Sequence, residues 1–233
     1  MEHKFYDLNA SVNIENLLER AEILGLTGIC PVMNSNENLE KYLTKIRELR
    51  KKTDLDLITG VLIQEDQNNI LKKAKELRRK VEVILVSGGD YEVNRLACSS
   101  DYVDILCHPE KGRHDSGLDH ICCREAKIHN TIIELNFREL LLSEGMERIK
   151  ELNKMKEILR LCLRFKTRFI VNSGARELYE LRSGKELSSL SFCLGAEMYD
   201  ALIANSELPE KLIFKNREKM KQPLDSVYIE HGK

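Results

Sequence analysis

The sequence predicts an α/β fold, a TIM-like βα barrel that need not be regular. Three observations predict it. Strand-length apolar runs alternate with amphipathic helical stripes along the whole chain, the pattern of repeated βα units. The strand candidates are nearly continuous Val, Ile and Leu, as expected when helices cover both faces of a parallel sheet. Seven such units are many for one open sheet, which favours closure, and 233 residues suit a single barrel of roughly 200–250.

The elements follow in order. Residues 4–8 are a short strand candidate. Residues 13–24 carry Ile14, Leu17, Leu18, Ala21 and Leu24 at helical spacing, with Gly25 as the C-terminal stop. Residues 27–32 read as a strand and 36–51 as a helix with Leu39, Leu43, Ile46 and Leu49 on one side. The run 57–63 is one apolar strand, followed by a helix over 67–79. Strand 81–86 closes on Ser87-Gly88-Gly89 before a short helix over 90–98. Strand 102–107 leads into His108-Pro109-Glu110 and a helix over 119–128. Strand 131–135 precedes a long helix over 144–165, and strand 169–171 ends in Asn172-Ser173-Gly174-Ala175. Helices over 187–194 and 197–204 complete the pattern, and no eighth strand stands out. No Pro-, Gly- or Ser-rich linker divides the chain. Residues 1–205 therefore read as one barrel domain and 206–233 as a polar, charged C-terminal tail.

Composition narrows the function classes. Hydrophobic residues are 42% and charged residues 32%, a globular composition able to bury a core. No apolar run approaches the ~20 residues that span a bilayer, and MEHKFYDLNA lacks the pattern of a signal peptide, so no membrane partner and a cytoplasmic location are expected. The net charge of −1 argues against nucleic-acid binding by bulk charge, though not against a local basic face. Seven cysteines, an odd number without a CxxC pair, read as reduced thiols and not as a zinc site.

Chemistry in a βα barrel belongs to the loops after the strands. A metal site there would draw on Asp7, Glu65, His108 and Glu110, but Asn9 is a weak ligand where a strong site would want His. No Gly-x-Ser-x-Gly elbow occurs. Ser87-Gly88-Gly89 and Ser173-Gly174-Ala175 are small-residue turns before helices, open to a phosphate or to simple turn geometry. Basic residues cluster at 72–80, which reads as a solvated helix face, in the tail, and around the loop HPEKGRHDSGLDH. Packing gives no reason for so many polar groups in that loop, and its cations suit phosphates.

The same loop carries a resemblance. The run NRLACSSDYVDILCHPEKGRHDSGLDHICCREA resembles the signature of the ribonuclease P protein component 3 family, in an archaeal form. The matching pieces are Asn94-Arg95-x-Ala97, Val103-Asp104-Ile105-Leu106, and Gly117-Leu118-Asp119-His120 followed by Arg124 and Ala126. Phe5-Tyr6-Asp7-Leu8-Asn9 and Ser173-Gly174-Ala175 are similar to that family too.

The resemblance implies a barrel related to the polymerase-and-histidinol-phosphatase phosphoesterases, and a subunit of ribonuclease P, the endonuclease that removes 5′ leaders from precursor tRNA. It implies that the RNA subunit with Mg²⁺ is the catalyst, that this chain holds no catalytic residues, cofactor or metal, and that it pairs with component 2 as a heterotetramer among other protein subunits. By position, RNA contacts are expected at Arg95, Lys111, Arg113, His114, Arg124 and Arg176, with Asn94, Asp104 and Asp119 organising the loop. Pairing of Arg95 with Asp104 or Asp119 is the structural alternative. A stand-alone metal phosphoesterase using Asp7, Glu65, His108 and Glu110 is the functional one.

Overall fold

A computed structural model describes residues 3–11 and 13–221. Its strands are β1 (Tyr6–Ala10), β2 (Gly28–Asn34), β3 (Asp56–Leu57), β4 (Gly60–Ile63), β5 (Val83–Ser87), β6 (Ile105–Cys107), β7 (Ile132–Asn136) and β8 (Phe169–Asn172). Between them run α1 (Ile14–Ile23), α2 (Leu39–Leu49), α3 (Gln67–Leu77), α4 (Tyr91–Cys98), α5 (His120–His129), α6 (Phe137–Leu142) and α7 (Gly145–Phe165). After β8 come α8 (Gly184–Leu194), α9 (Met198–Asn205) and α10 (Glu207–Lys221). The pairing order is β1-β2-β4-β5-β6-β7-β8, all parallel, with β3 a two-residue spur on β2. This is the expected TIM-like barrel, with seven staves. Among the described residues no helix is long and apolar enough to cross a membrane.

Strand periodicity divides the core in two. Val83 and Leu85, Ile105 and Cys107, and Ile170 point into the barrel, where they pack with Leu8, Cys30 and Val32. Their neighbours Ile84, Val86, Leu106, Phe169 and Val171 pack outward against the helices. Both faces are therefore dry, which is why the strands read as continuous apolar runs. Helices begin where the chain supplies an acceptor for exposed N–H groups: Asn13, Asn38, Asp66, Asp90, Asp119, Asn136 and Ser183 all cap.

Three features differ from the sequence reading. The apolar run 57–63 is not one strand, because side chains take its backbone groups. Arg50 donates to the Leu57 carbonyl, Thr59 N–H donates to Glu82 and Gly60 N–H to the Tyr42 hydroxyl. The short helix α6 was not anticipated. The tail, expected as a polar appendage, begins instead with α10, which closes the floor of the barrel. Ile213 joins the inner core, Asn216 donates to the Glu82 carbonyl and to Asp104, and Arg217 forks onto Asp56 while its Nε meets Glu82 at 2.5 Å. Residues 222–233 lie outside the described residues.

The barrel closes without a β8–β1 ladder among the described residues. Side chains stitch the seam instead. Leu8 N–H donates to Asn172 Oδ1 at 3.0 Å, and Ser173 N–H donates to Asp7 Oδ1 at 3.2 Å. One backbone bond, Ser11 N–H to the Ala175 carbonyl at 2.7 Å, completes it.

Candidate functional site

The strand ends at the seam hold a buried polar knot. Glu134 on β7, 1% exposed, accepts from Asn9 Nδ2 and Asn172 Nδ2 at 2.8 Å each, and from Asn136 Nδ2 at 3.1 Å. Three neutral amides thus occupy the carboxylate. Asp7 accepts from Asn9 N–H and Ser173 N–H through Oδ1, while its buried Oδ2 has no partner. Burial pushes the Asp7 carboxyl up to about 7, against those hydrogen bonds, with nearby Glu134 adding to the rise. The sequence reading missed Glu134. Its signal was a lone acid inside the apolar strand IIELN.

The four alternative metal residues are not gathered into one site. Asp7 is committed to the seam. His108 Nδ1 lies 3.7 Å from Glu110 and 3.9 Å from Glu139, and Glu65 is half-buried on the loop after β4. Burial pulls the His108 imidazole down, but Glu110, Glu134 and Glu139 outweigh it and hold its value above the ordinary one. Among the described residues no three His, Cys, Asp or Glu side chains are placed to hold a metal ion. The small-residue turns are also committed. Gly88 N–H donates to the Cys107 carbonyl, Gly89 N–H to Asn94, Ser173 N–H to Asp7 and Ala175 N–H to the Ser173 hydroxyl.

Beside this knot stands the loop between β6 and α5. Asn94, fully buried on α4, is its clamp: Nδ2 donates to the Pro109 and Gly117 carbonyls at 2.9 and 2.8 Å, and Oδ1 accepts from Gly89 N–H. Gly117 is required there. Its φ is +69°, and a Cβ would lie 1.8 Å from the Pro109 carbonyl oxygen. Asp119 caps α5 through Cys122 N–H and accepts the Tyr91 hydroxyl at 2.7 Å. Arg113 forks onto Asp115 at 2.6 and 3.0 Å, and that bond holds the Asp115 carboxyl down to about 2.

The expected RNA contacts fall on several surfaces. Arg95, Lys111 and His114 are exposed on α4 and on this loop. Arg113 is half-buried by its pair with Asp115, so it shapes the loop as well as facing solvent. Arg124 is exposed on α5 over the Phe165 ring, and Arg176 is exposed beyond β8. Asn94 and Asp119 organise the loop as expected, but Asp104 does not. It lies at the other end of the barrel, where it takes Arg78 at 2.6 Å, Ile84 N–H and Asn216. Arg95 therefore pairs with neither Asp104 nor Asp119, since both are engaged elsewhere.

Comparison with known proteins bears on this arrangement. Residues 4–221 match the family described as RNase P subunit p30. The chain is 34% identical over 183 residues to the ribonuclease P protein component 3 of Methanococcus maripaludis (strain C7), covering 78% of each chain. It superposes with a TM-score of 0.85 on a chain of the cryo-EM structure of archaeal ribonuclease P with mature tRNA, at 27% identity and covering 97% and 98% of the two chains. A prolidase complexed with N-methylphosphonate-L-proline shares the barrel alone, at 9% identity and a TM-score of 0.58, over 98% of this chain and 77% of the prolidase. Together with the clamped 94–126 segment and the seven-staved barrel, these matches show that the chain belongs to the RNase P subunit p30 family.

Proposed function

We propose that this chain serves as the component 3 type of protein subunit of ribonuclease P, supporting the RNA-catalysed removal of 5′ leaders from precursor tRNA. The observation that carries the reading is the end-to-end match, 97% of the chain at a TM-score of 0.85, to a subunit of the archaeal enzyme. In this reading the RNA subunit and Mg²⁺ perform the hydrolysis. The barrel supplies shape and charge. The strand-end chemistry supports that division: the buried seam acid Glu134 is occupied by amides of this same chain.

The exposed cations Arg95 on α4 and Lys111 and His114 on the adjoining loop, which Asn94 and Gly117 hold rigid, would meet the phosphates of ribonuclease P RNA or precursor tRNA, with Arg113, Arg124 and Arg176 extending the contact. Component 2 is the protein partner in this reading, in a heterotetramer, alongside other protein subunits in the cytoplasm.

The test is cleavage of precursor tRNA in Mg²⁺ by ribonuclease P RNA and component 2, with and without this chain, and by the chain alone. Faster leader removal only in the full mixture is expected. Arg95→Ala with Lys111→Ala should lower that stimulation and reduce its salt dependence. Phosphoester cleavage by the chain alone with Mn²⁺ or Zn²⁺, and no stimulation in the mixture, would overturn the proposal.

A further inference from the structure

The floor of the barrel carries a feature that the strand-end surface does not account for. A cleft of about 570 Å³ opens between α9, α10 and the loops before β6, β7 and β8. Its bed is apolar, with Leu163, Ile203, Leu208 and Leu212. Its rim is basic, with Lys166 and Arg168 from the loop before β8 and Lys211, Lys215 and Lys219 from α10.

The fold does not neutralise this charge. Three carboxylates line the cleft. Asp104 is held by Arg78 and Asn216, and Asp101 meets His129 Nδ1 at 2.9 Å, which leaves Asp200. Lys211 pairs with Glu207. Lys166, Arg168, Lys215 and Lys219 make no ion pair among the described residues. Burial holds the Lys215 ammonium below the ordinary lysine value, Lys219 and Arg168 push the same way, and together they outweigh the opposing pull of Asp104 and Asp101. Cations gathered in excess of the carboxylates beside them mark a place suited to an anion.

The placement is ordered. Lys211, Lys215 and Lys219 are four apart on α10, so they form a row with steps of about 6 Å. That step is close to the separation of successive phosphates on an extended strand. Arg168 lines the same cleft and acts on the charges of Lys211 and Lys215, and the apolar bed is suited to the face of an unpaired base.

We propose that this cleft is a second RNA-binding site, taking a single-stranded segment with its phosphates along Lys211, Lys215, Lys219 and Arg168 and a base against the apolar bed. The choice of RNA as the polyanion rests on the ribonuclease P reading. The site itself lies at the opposite end of the barrel from the loop that carries Lys111 and His114.

The experiment uses the full chain and a fluorescein-labelled oligouridylate of about twelve nucleotides, within the span of a single-stranded site. Anisotropy is read across a salt series. Lys215→Gln with Lys219→Gln should weaken binding about tenfold and flatten the salt slope by about 1.4, two contacts at about 0.7 each. Lys215→Arg with Lys219→Arg should retain binding, and Lys72→Gln with Lys75→Gln on α3 should change little. Lysine acetylation of the unmutated chain should show Lys215 and Lys219 protected by the oligonucleotide, a readout independent of how the variants fold. Unchanged binding by the Lys215/Lys219 glutamine pair, an equal loss in the α3 pair, or unprotected lysines would overturn the proposal. So would a polyglutamate peptide that occupies the cleft more tightly than the oligonucleotide. Precursor-tRNA cleavage on the same preparations separates the readings: a stimulating chain with an inert cleft sinks this inference alone.

Discussion

Asn172→Ala isolates the closure of the barrel. The β8–β1 seam has no strand ladder, and Asn172, fully buried, works on both sides of it: Oδ1 accepts from Leu8 N–H at 3.0 Å and Nδ2 donates to Glu134 at 2.8 Å. Truncation leaves the buried Leu8 N–H without an acceptor, at a cost of about 1–3 kcal/mol, and removes one of three donors from Glu134, at about 1.5–3 kcal/mol. A total of about 3–5 kcal/mol is expected, a large part of the roughly 5–15 kcal/mol that holds a typical domain together. With a urea m-value near 3 kcal/mol/M, the midpoint should fall by about 1–1.7 M. Urea unfolding by circular dichroism measures this, and amide exchange should show the Leu8 N–H losing protection before the rest of the sheet. Asn172→Asp restores the acceptor for Leu8 but sets a second carboxylate against Glu134, so one of the two needs a proton. Its folded-state pKa is raised, and its destabilisation should grow as pH rises. A midpoint within about 0.2 M of the unmutated chain, with Leu8 still protected, would refute the stitching role.

Other perturbations test other parts of the argument. Asp7 has a folded pKa raised from 3.8 to about 7, so its contribution to stability is full below pH 4 and is lost as pH rises through 7. Asp7→Asn keeps the Oδ1 acceptor without the charge, and urea unfolding at pH 5 and pH 8 should show the unmutated chain losing about 2.5 kcal/mol relative to the variant; parallel pH curves would contradict the buried-acid account. Gly117→Ala forces a Cβ onto the Pro109 carbonyl at positive φ, and should cost about 2–4 kcal/mol by thermal melting and abolish stimulation of precursor-tRNA cleavage. Arg217→Ala leaves buried Glu82 with Arg50 and Thr59 as remaining partners and frees Asp56. Because the Arg217 side chain is a third exposed, about 2 kcal/mol is expected, and Arg217→Lys should recover only part, since the fork onto Asp56 is bidentate. A melting temperature for Arg217→Ala equal to that of the unmutated chain would show that α10 is not pinned by this network.

Much of the barrel was legible because its signals are local. The outward and inward residues of β5, β6 and β8 are all apolar, so continuous Val/Ile/Leu runs announced a sheet buried on both faces. Asn13, Asp90 and Asp119 marked helix starts, since a cap needs only its own N–H groups a turn ahead. Lys211, Lys215 and Lys219 misled for the same reason. A polar helix with few apolar positions reads as an appendage until the barrel floor it covers is known.

The sequence by itself determined the alternation of strands and helices, the parallel barrel, and the segment from Asn94 to Ala126 that carries the resemblance to the family. Tertiary structure decided the rest. It turned Glu134 into the hub of three amides from β1, β7 and β8. It sent Asp104 to Arg78 and Asn216, and left Arg95 exposed. It folded α10 under the barrel and set its lysines beside Arg168. Apart from the Asn136–Glu134 bond, these are contacts between residues tens to more than a hundred positions apart. Periodicity and capping report only what a residue meets within a few turns of its own chain, whereas hydrogen-bond satisfaction and charge balance in a buried site are settled by whichever groups the closed barrel brings together.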